Sequence, residues 1–212
     1  MKNYGKLATG LIVVWFLFAL SASALHVFEN NSNRIGLAVG MAALTPIVVF
    51  FLWLAASESF RRFTLSLNPR ILTSAQAWRM VGFTFVLLEA RGALPAIFAL
   101  PAGYGDMAIG ATASFVAWKL ANPTHRNSFI LWQLLGITDL VTAVSLGTTA
   151  GLISPQGPSM APMTTMPLSL IPTFLVPLFV IFHVICIGQA RSWKAVSEIV
   201  PQTTRPTQYH AI

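Results

Sequence analysis

Glu89, Arg91, Asp106, Asp139 and His183 are ionisable side chains that stand away from the basic ends of long apolar runs in this sequence. An acid at the centre of a membrane span costs about 2.5 to 3.5 kcal/mol on the insertion scale. Each of these groups therefore needs protein or water around it. Helical spacing puts the three acids on small-residue faces: Glu89 with Gly82, Ala93 and Ala96; Asp106 with Gly110, Ala113 and Ala117; Asp139 with Gly136, Ala143 and Gly147. Small faces let membrane helices approach closely, so these three helices are expected to pack together with their acids turned inward. Three acids face one intramembrane arginine, Arg91, with Arg79 at the inner boundary, which leaves one or two carboxyls without a fixed cation. Such a group is protonated, solvated by a cavity, or matched by a mobile cation. The candidate binding residues are Glu89, Arg91, Asp106 and Asp139, and the expected ligand is a proton or small cation.

The elements that must position them follow from composition. The chain is 55% hydrophobic and 9% charged, with mean hydropathy +0.70, whereas soluble domains carry about 25% charged residues. A span needs about 20 mainly apolar residues, and six stretches qualify: 7–25, 35–56, 78–100, 105–121, 129–152 and 168–188. The alternating strands of outer-membrane barrels are absent. The expected fold is all-α: a polytopic membrane helical bundle of about six transmembrane helices in a single domain, with residues 189–212 as a cytoplasmic tail.

The net charge of +7 does not point to nucleic acid, because the basic residues sit singly between apolar runs. They mark topology instead. Lys2 and Lys6, then Arg61, Arg62, Arg70 and Arg79, then Lys119 and Arg126, then Arg191, Lys194 and Arg205 fall in alternate connections. The opposite connections hold Arg34 near Glu29, a Pro101-Ala102-Gly103-Tyr104 turn, and a charge-free stretch from Ser154 to Pro167. The positive-inside rule then puts both termini in the cytoplasm of a plasma membrane. The first span, with Lys2, Lys6 and Ala22-Ser23-Ala24, also has the outline of a secretory signal. Residues 57–77 pair Phe60, Phe63, Leu65 and Leu67 with Arg61 and Arg62, as an interfacial helix on an anionic leaflet or a basic loop would.

No phosphate loop, His-Glu-x-x-His helix, nucleophile elbow or dinucleotide fingerprint is present, and no cofactor is expected. His183 and Cys186 share a helix face but are too few for a metal site. Met160, Met163 and Met166 offer thioethers of the kind that suit Cu(I), against a docking role for a proline-rich loop; no metal is assigned. The lone Cys186 excludes an internal disulfide.

Gly103-Tyr104-Gly105-Asp106 resembles the Gly-x-Gly-Asp motif of intramembrane aspartyl proteases, the presenilin and prepilin-peptidase group. That resemblance implies catalysis by two aspartates, Asp106 and Asp139. Here Asp139 follows the glycine motif, whereas the family's partner aspartate usually precedes it. Gln76-Ala77-Trp78-Arg79, Phe98-Ala99-Leu100-Pro101-Ala102-Gly103 and Gly136-Ile137-Thr138-Asp139-Leu140 are similar to a family of bacterial inner-membrane proteins without an assigned activity. Three readings stay open: proton or cation handling, an intramembrane protease, and a non-catalytic accessory subunit.

Overall fold

The computed structural model describes residues 2–29 and 36–193, and these form helices joined by turns, an all-α bundle with no strand among the described residues. Arg34, Lys194, Arg205 and the end of the tail lie outside them. The helices are α1 (Lys2–Ala24), α2 (Leu37–Ala56), α3 (Glu58–Leu65), α4 (Pro69–Ser74), α5 (Phe83–Ala90), α6 (Ala96–Lys119), α7 (Arg126–Ile153) and α8 (Val176–Ser192). A 3₁₀ stretch, Ala75–Gly82, fuses α4 to α5, and a π-helical turn, Ile171–Leu175, leads into α8. Among the described residues five runs are long and apolar enough to cross a membrane: Tyr4–Ala24, Leu37–Ala56, Pro69–Ala90, Pro123–Ile153 and Ile171–Ser192. The fourth expected span falls in α6, which is not among these five; its 24 residues extend about 36 Å, enough by length alone for a hydrocarbon core of about 30 Å. Its Gly103, Gly105, Asp106 and Gly110 make it less apolar, as suits a helix packed against helices.

Besides the start of the third run, at Pro69 and not at residue 78, two boundaries differ from the sequence expectation. The third and fourth spans were expected at 78–100 and 105–121 around a turn at Pro101–Tyr104; instead one run ends at Ala90 and α6 begins at Ala96, with Pro101 inside it. The reason lies at Gly92, which takes φ +68. Its N–H donates to Glu89 O (2.7 Å) and that of Ala93 to Leu88 O (2.8 Å), the paired bonds that close a helix on a left-handed glycine. Asp106 thereby moves from a helix start to the middle of α6. The second difference is at the other end of the chain, where α8 runs on to Ser192 and takes in the first residues assigned to the tail.

Aromatic and small side chains sort the bundle into two ends. At one, Tyr4, Phe50, Trp53, Phe60, Phe63, Phe129 and Trp193 gather into one core, and Lys6, Arg61, Arg62, Arg70, Lys119, Arg126 and Arg191 surround it with Glu58 as the described acid. Helix α3 is fastened there: Phe60 stacks on Trp53 at 4.1 Å between ring centroids, and Gln189 Nε2 donates to the carbonyls of Thr64, Leu65 and Leu67. At the opposite end Leu94, Phe98, Ala150, Met160 and Met163 form a second core. Met160 and Met163 are thus buried in packing, while Met166 is exposed. Helix α1 lies at the edge, its leucines and valines largely exposed. It is tied in by Ser169 Oγ donating to Ser23 Oγ at 2.9 Å and by Trp15 Nε1 donating to Thr173 O at 3.2 Å. Pro177, four residues on, has no N–H for that carbonyl.

Gly92 has no atom within 4 Å of where a Cβ would stand, so its substitution isolates the backbone term. Gly92→Ala is expected to destabilise the protein by about 1 kcal/mol, the left-handed penalty, with Gly92→Asn closer to wild type. Thermal midpoints in detergent test this order.

Candidate functional site

In the 3₁₀ stretch successive turns take three residues, so side chains at i and i+3 eclipse one another. Thr73, in the last turn of α4, then Gln76, Arg79 and Gly82 accordingly fall into one line, and all four are buried. An ordinary α-helix would spread this series around its axis. Runs of 3₁₀ beyond three or four residues are uncommon; here eight residues aim a polar stripe into an apolar bundle.

Arg79 is the centre of the site, with its side chain 1% exposed. Its Nε donates to Asp106 Oδ1 at 2.6 Å, its Nη2 to Asp139 Oδ2, and its Nη1 to Gly136 O at 3.2 Å. Nη1 also meets His183 Nε2 at 3.4 Å. One guanidinium thus joins the Pro69–Ala90 run to α6, α7 and α8. It sits near the midpoint of its own run, as Asp106, Asp139 and His183 do of theirs.

From His183 the polar chain continues. Nδ1 pairs with Gln133 Oε1, Gln133 Nε2 donates to Thr73 Oγ1 at 3.1 Å, and Thr73 Oγ1 lies 3.7 Å from Cys186 Sγ. These directions fix the tautomer. Gln133 Oε1 can only accept, so Nδ1 carries the hydrogen, and Nε2 accepts from Arg79. The Trp132 ring packs 5.8 Å from the His183 ring. Gln76 Nε2 donates to Phe179 O at 3.4 Å, while its buried Oε1 has no hydrogen-bond partner.

Two glycines make room for this cluster. A Cβ on Gly105 would overlap the Asp139 carboxylate, and one on Gly136 would overlap the His183 ring. The Gly105 side of α6 therefore lies directly on Asp139. Beside Arg79 and Asp106 opens a small crevice walled by Val81, Leu140, Ile171, Leu175, Val176 and Phe179, with room for about one water molecule.

Of the residues expected from sequence, the structure brings Asp106 and Asp139 together and leaves Glu89 and Arg91 elsewhere. Glu89 is half-buried in the last turn of α5 and Arg91 is exposed beside it. They lie ten and twelve residues beyond Arg79, about 15 Å and more along the helical run. The cation that meets the two aspartates is Arg79, which the sequence reading had placed with the basic loop. His183 and Cys186 join the polar chain separately, His183 at Arg79 and Cys186 at Thr73, and no group of three metal-ligating side chains occurs among the described residues. The signal for the missed residues was the period-three series Thr73, Gln76, Arg79, Gly82.

Residues 34–191 match the family described as Domain of unknown function (DUF8737). The chain belongs to this family. The matched region runs past the end of α1 and contains α2 through nearly all of α8, hence Arg79, Asp106, Asp139, His183 and the whole polar chain. No curated protein and no solved structure matches the chain.

Breaking a buried ion cluster by removing one partner costs about 3 to 5 kcal/mol, whereas replacing every charge together is far cheaper. Arg79→Leu is therefore expected to lose about that much stability, and the combined variant Arg79→Leu, Asp106→Asn, Asp139→Asn to recover most of it. Unfolding of the purified variants in detergent gives both numbers.

Proposed function

We propose that the Arg79, Asp106 and Asp139 cluster is a membrane-embedded binding site for a proton, or for a small cation of similar reach. The observation that carries this reading is the charge count. Two carboxylates share one guanidinium, so the fully ionised cluster holds a net negative charge at the depth where an ion is hardest to keep. Each aspartate meets Arg79 through one oxygen, which leaves its other oxygen to carry a hydrogen. A crevice with room for about one water supports a proton over a larger solute. Asp139, with a side chain 15% exposed against 10% for Asp106, is the more accessible of the two.

The same geometry weighs against an aspartyl protease. A water-activating dyad shares its proton directly between two carboxyls, whereas here each carboxyl is engaged by the same guanidinium. It also favours a second reading, an accessory protein whose ion cluster only pins the bundle, because the four helical runs meet at one side chain. The chain's setting in this proposal is a bacterial plasma membrane with its basic, aromatic end in the cytoplasm, which follows from the positive-inside rule.

Infrared difference spectra of the purified protein between acidic and alkaline buffer separate the two readings. A proton site gives a protonated-carboxyl band that shifts in heavy water and disappears in Asp139→Asn or Asp106→Asn while the protein stays folded. Absence of any such band in wild type sinks the proton site and leaves the structural pin.

A further inference from the structure

We infer that the basic end of the bundle is a docking surface for anionic phospholipid headgroups, seated on Arg61, Arg62, Arg70 and Lys119. Charge is the first argument. Of these four, Arg62 has an acidic partner, Glu58 at 3.2 Å in an exposed pair; no carboxylate lies within ion-pair distance of the others among the described residues. A surface that concentrates cations with so little internal neutralisation attracts an anionic leaflet, by about 1 kcal/mol for each Lys or Arg near it.

Placement is the second argument. Helix α3 buries Phe60 and Thr64 and leaves Arg61 and Arg62 exposed. With the carbonyls of Thr64 and Leu65 at its C-terminus and of Leu67 just beyond held by Gln189 it is a fixed ledge at the mouth of the bundle, not a free loop. Across from it the Arg70 guanidinium stacks over the Trp118 ring at 5.8 Å. Trp118 is 71% exposed near the C-terminal end of α6, where tryptophan suits the headgroup layer of a bilayer. A cation–π contact at this distance favours the guanidinium beside the ring, and its N–H groups can still reach a phosphate oxygen. Lys119 follows Trp118 in the chain and is likewise exposed. Fixed arginines beside an interfacial tryptophan fit a phospholipid, which offers a phosphate at the level of the charges and an acyl chain at the level of the ring. This surface is independent of the buried ion cluster.

The test is lipid retention. The full chain is extracted from membranes made of equal parts phosphatidylcholine and phosphatidylglycerol, and the lipids that remain bound are quantified by mass spectrometry. Enrichment of phosphatidylglycerol is expected in wild type. Its affinity should fall about fivefold for each arginine removed, and about a hundredfold in the variant Arg61→Gln, Arg62→Gln, Arg70→Gln. The triple variant should keep the wild-type thermal midpoint in phosphatidylcholine alone, which shows that it folds. Equal retention of both lipids by wild type, or unchanged enrichment in the triple variant, overturns the assignment. So does displacement of the retained lipid by inorganic phosphate at physiological ionic strength, which would mark a site for free anions.

Discussion

The burial of one guanidinium decides how this bundle is put together. Arg79 carries five N–H donors that nothing in hydrocarbon can accept, and the side chain is sealed from solvent. Its partners must therefore come from protein, and they come from each helix that surrounds it: Asp106 from α6, Asp139 and the Gly136 carbonyl from α7, His183 from α8. A pin of this kind sets helix register as well as helix choice. If α7 slid by one turn, Asp139 and Gly136 O would both leave the guanidinium, and a buried charge without its counter-charge costs several kcal/mol.

Packing around the pin follows from its bulk. An arginine with two aspartates and a histidine fills the space between helix axes, so the backbones can close only where side chains vanish. Gly105 lies against Asp139 and Gly136 against His183 for that reason. The same demand explains why α6 carries three glycines and an aspartate in its middle. Its glycines and its aspartate face neighbours, not lipid, and what hydropathy it gives up is recovered in contact.

Much of the class was legible in the sequence and much of the site was not. Run length and charge spacing gave the helical bundle, because water-free surroundings leave the backbone few alternatives. Asp106 and Asp139 stood out because acids in apolar runs are expensive, and small-residue faces on their helices correctly suggested close packing. Arg79 did not stand out. It sits only a few residues past a cluster of basic residues, and the eye groups Arg61, Arg62, Arg70 and Arg79 as one loop. What removes it from that group is Pro69 starting a helix on the Asn68 cap, which pulls nine more residues, 69–77, into the span than hydropathy alone assigns. The switch to a three-residue turn was hidden for a related reason, since a stripe at i+3 is nearly compatible with an ordinary helix over two turns and departs from it only over three. Glu89 and Arg91 were misplaced by the same shift: once Gly92 closes the helix, they stand at its end.

The network also shows which of its members is free to change. Arg79 is committed at each of its nitrogens and keeps its charge under all ordinary conditions. His183 is held on both sides. A second hydrogen on the ring would have to sit on Nε2, pointing at the guanidinium, and Gln133 cannot turn to compensate because its amide is spent on Thr73. Gln133 and Thr73 are neutral and do not titrate. The two carboxylates remain, each bound to Arg79 by one oxygen, so in the proposed proton site the groups at the guanidinium whose proton content can vary are Asp106 and Asp139. Their pairing on one fixed cation makes them unequal by geometry alone. Asp106 receives the Nε–H on the inner side of the fork and lies beside the crevice, while Asp139 takes an outer N–H and keeps the more exposed edge.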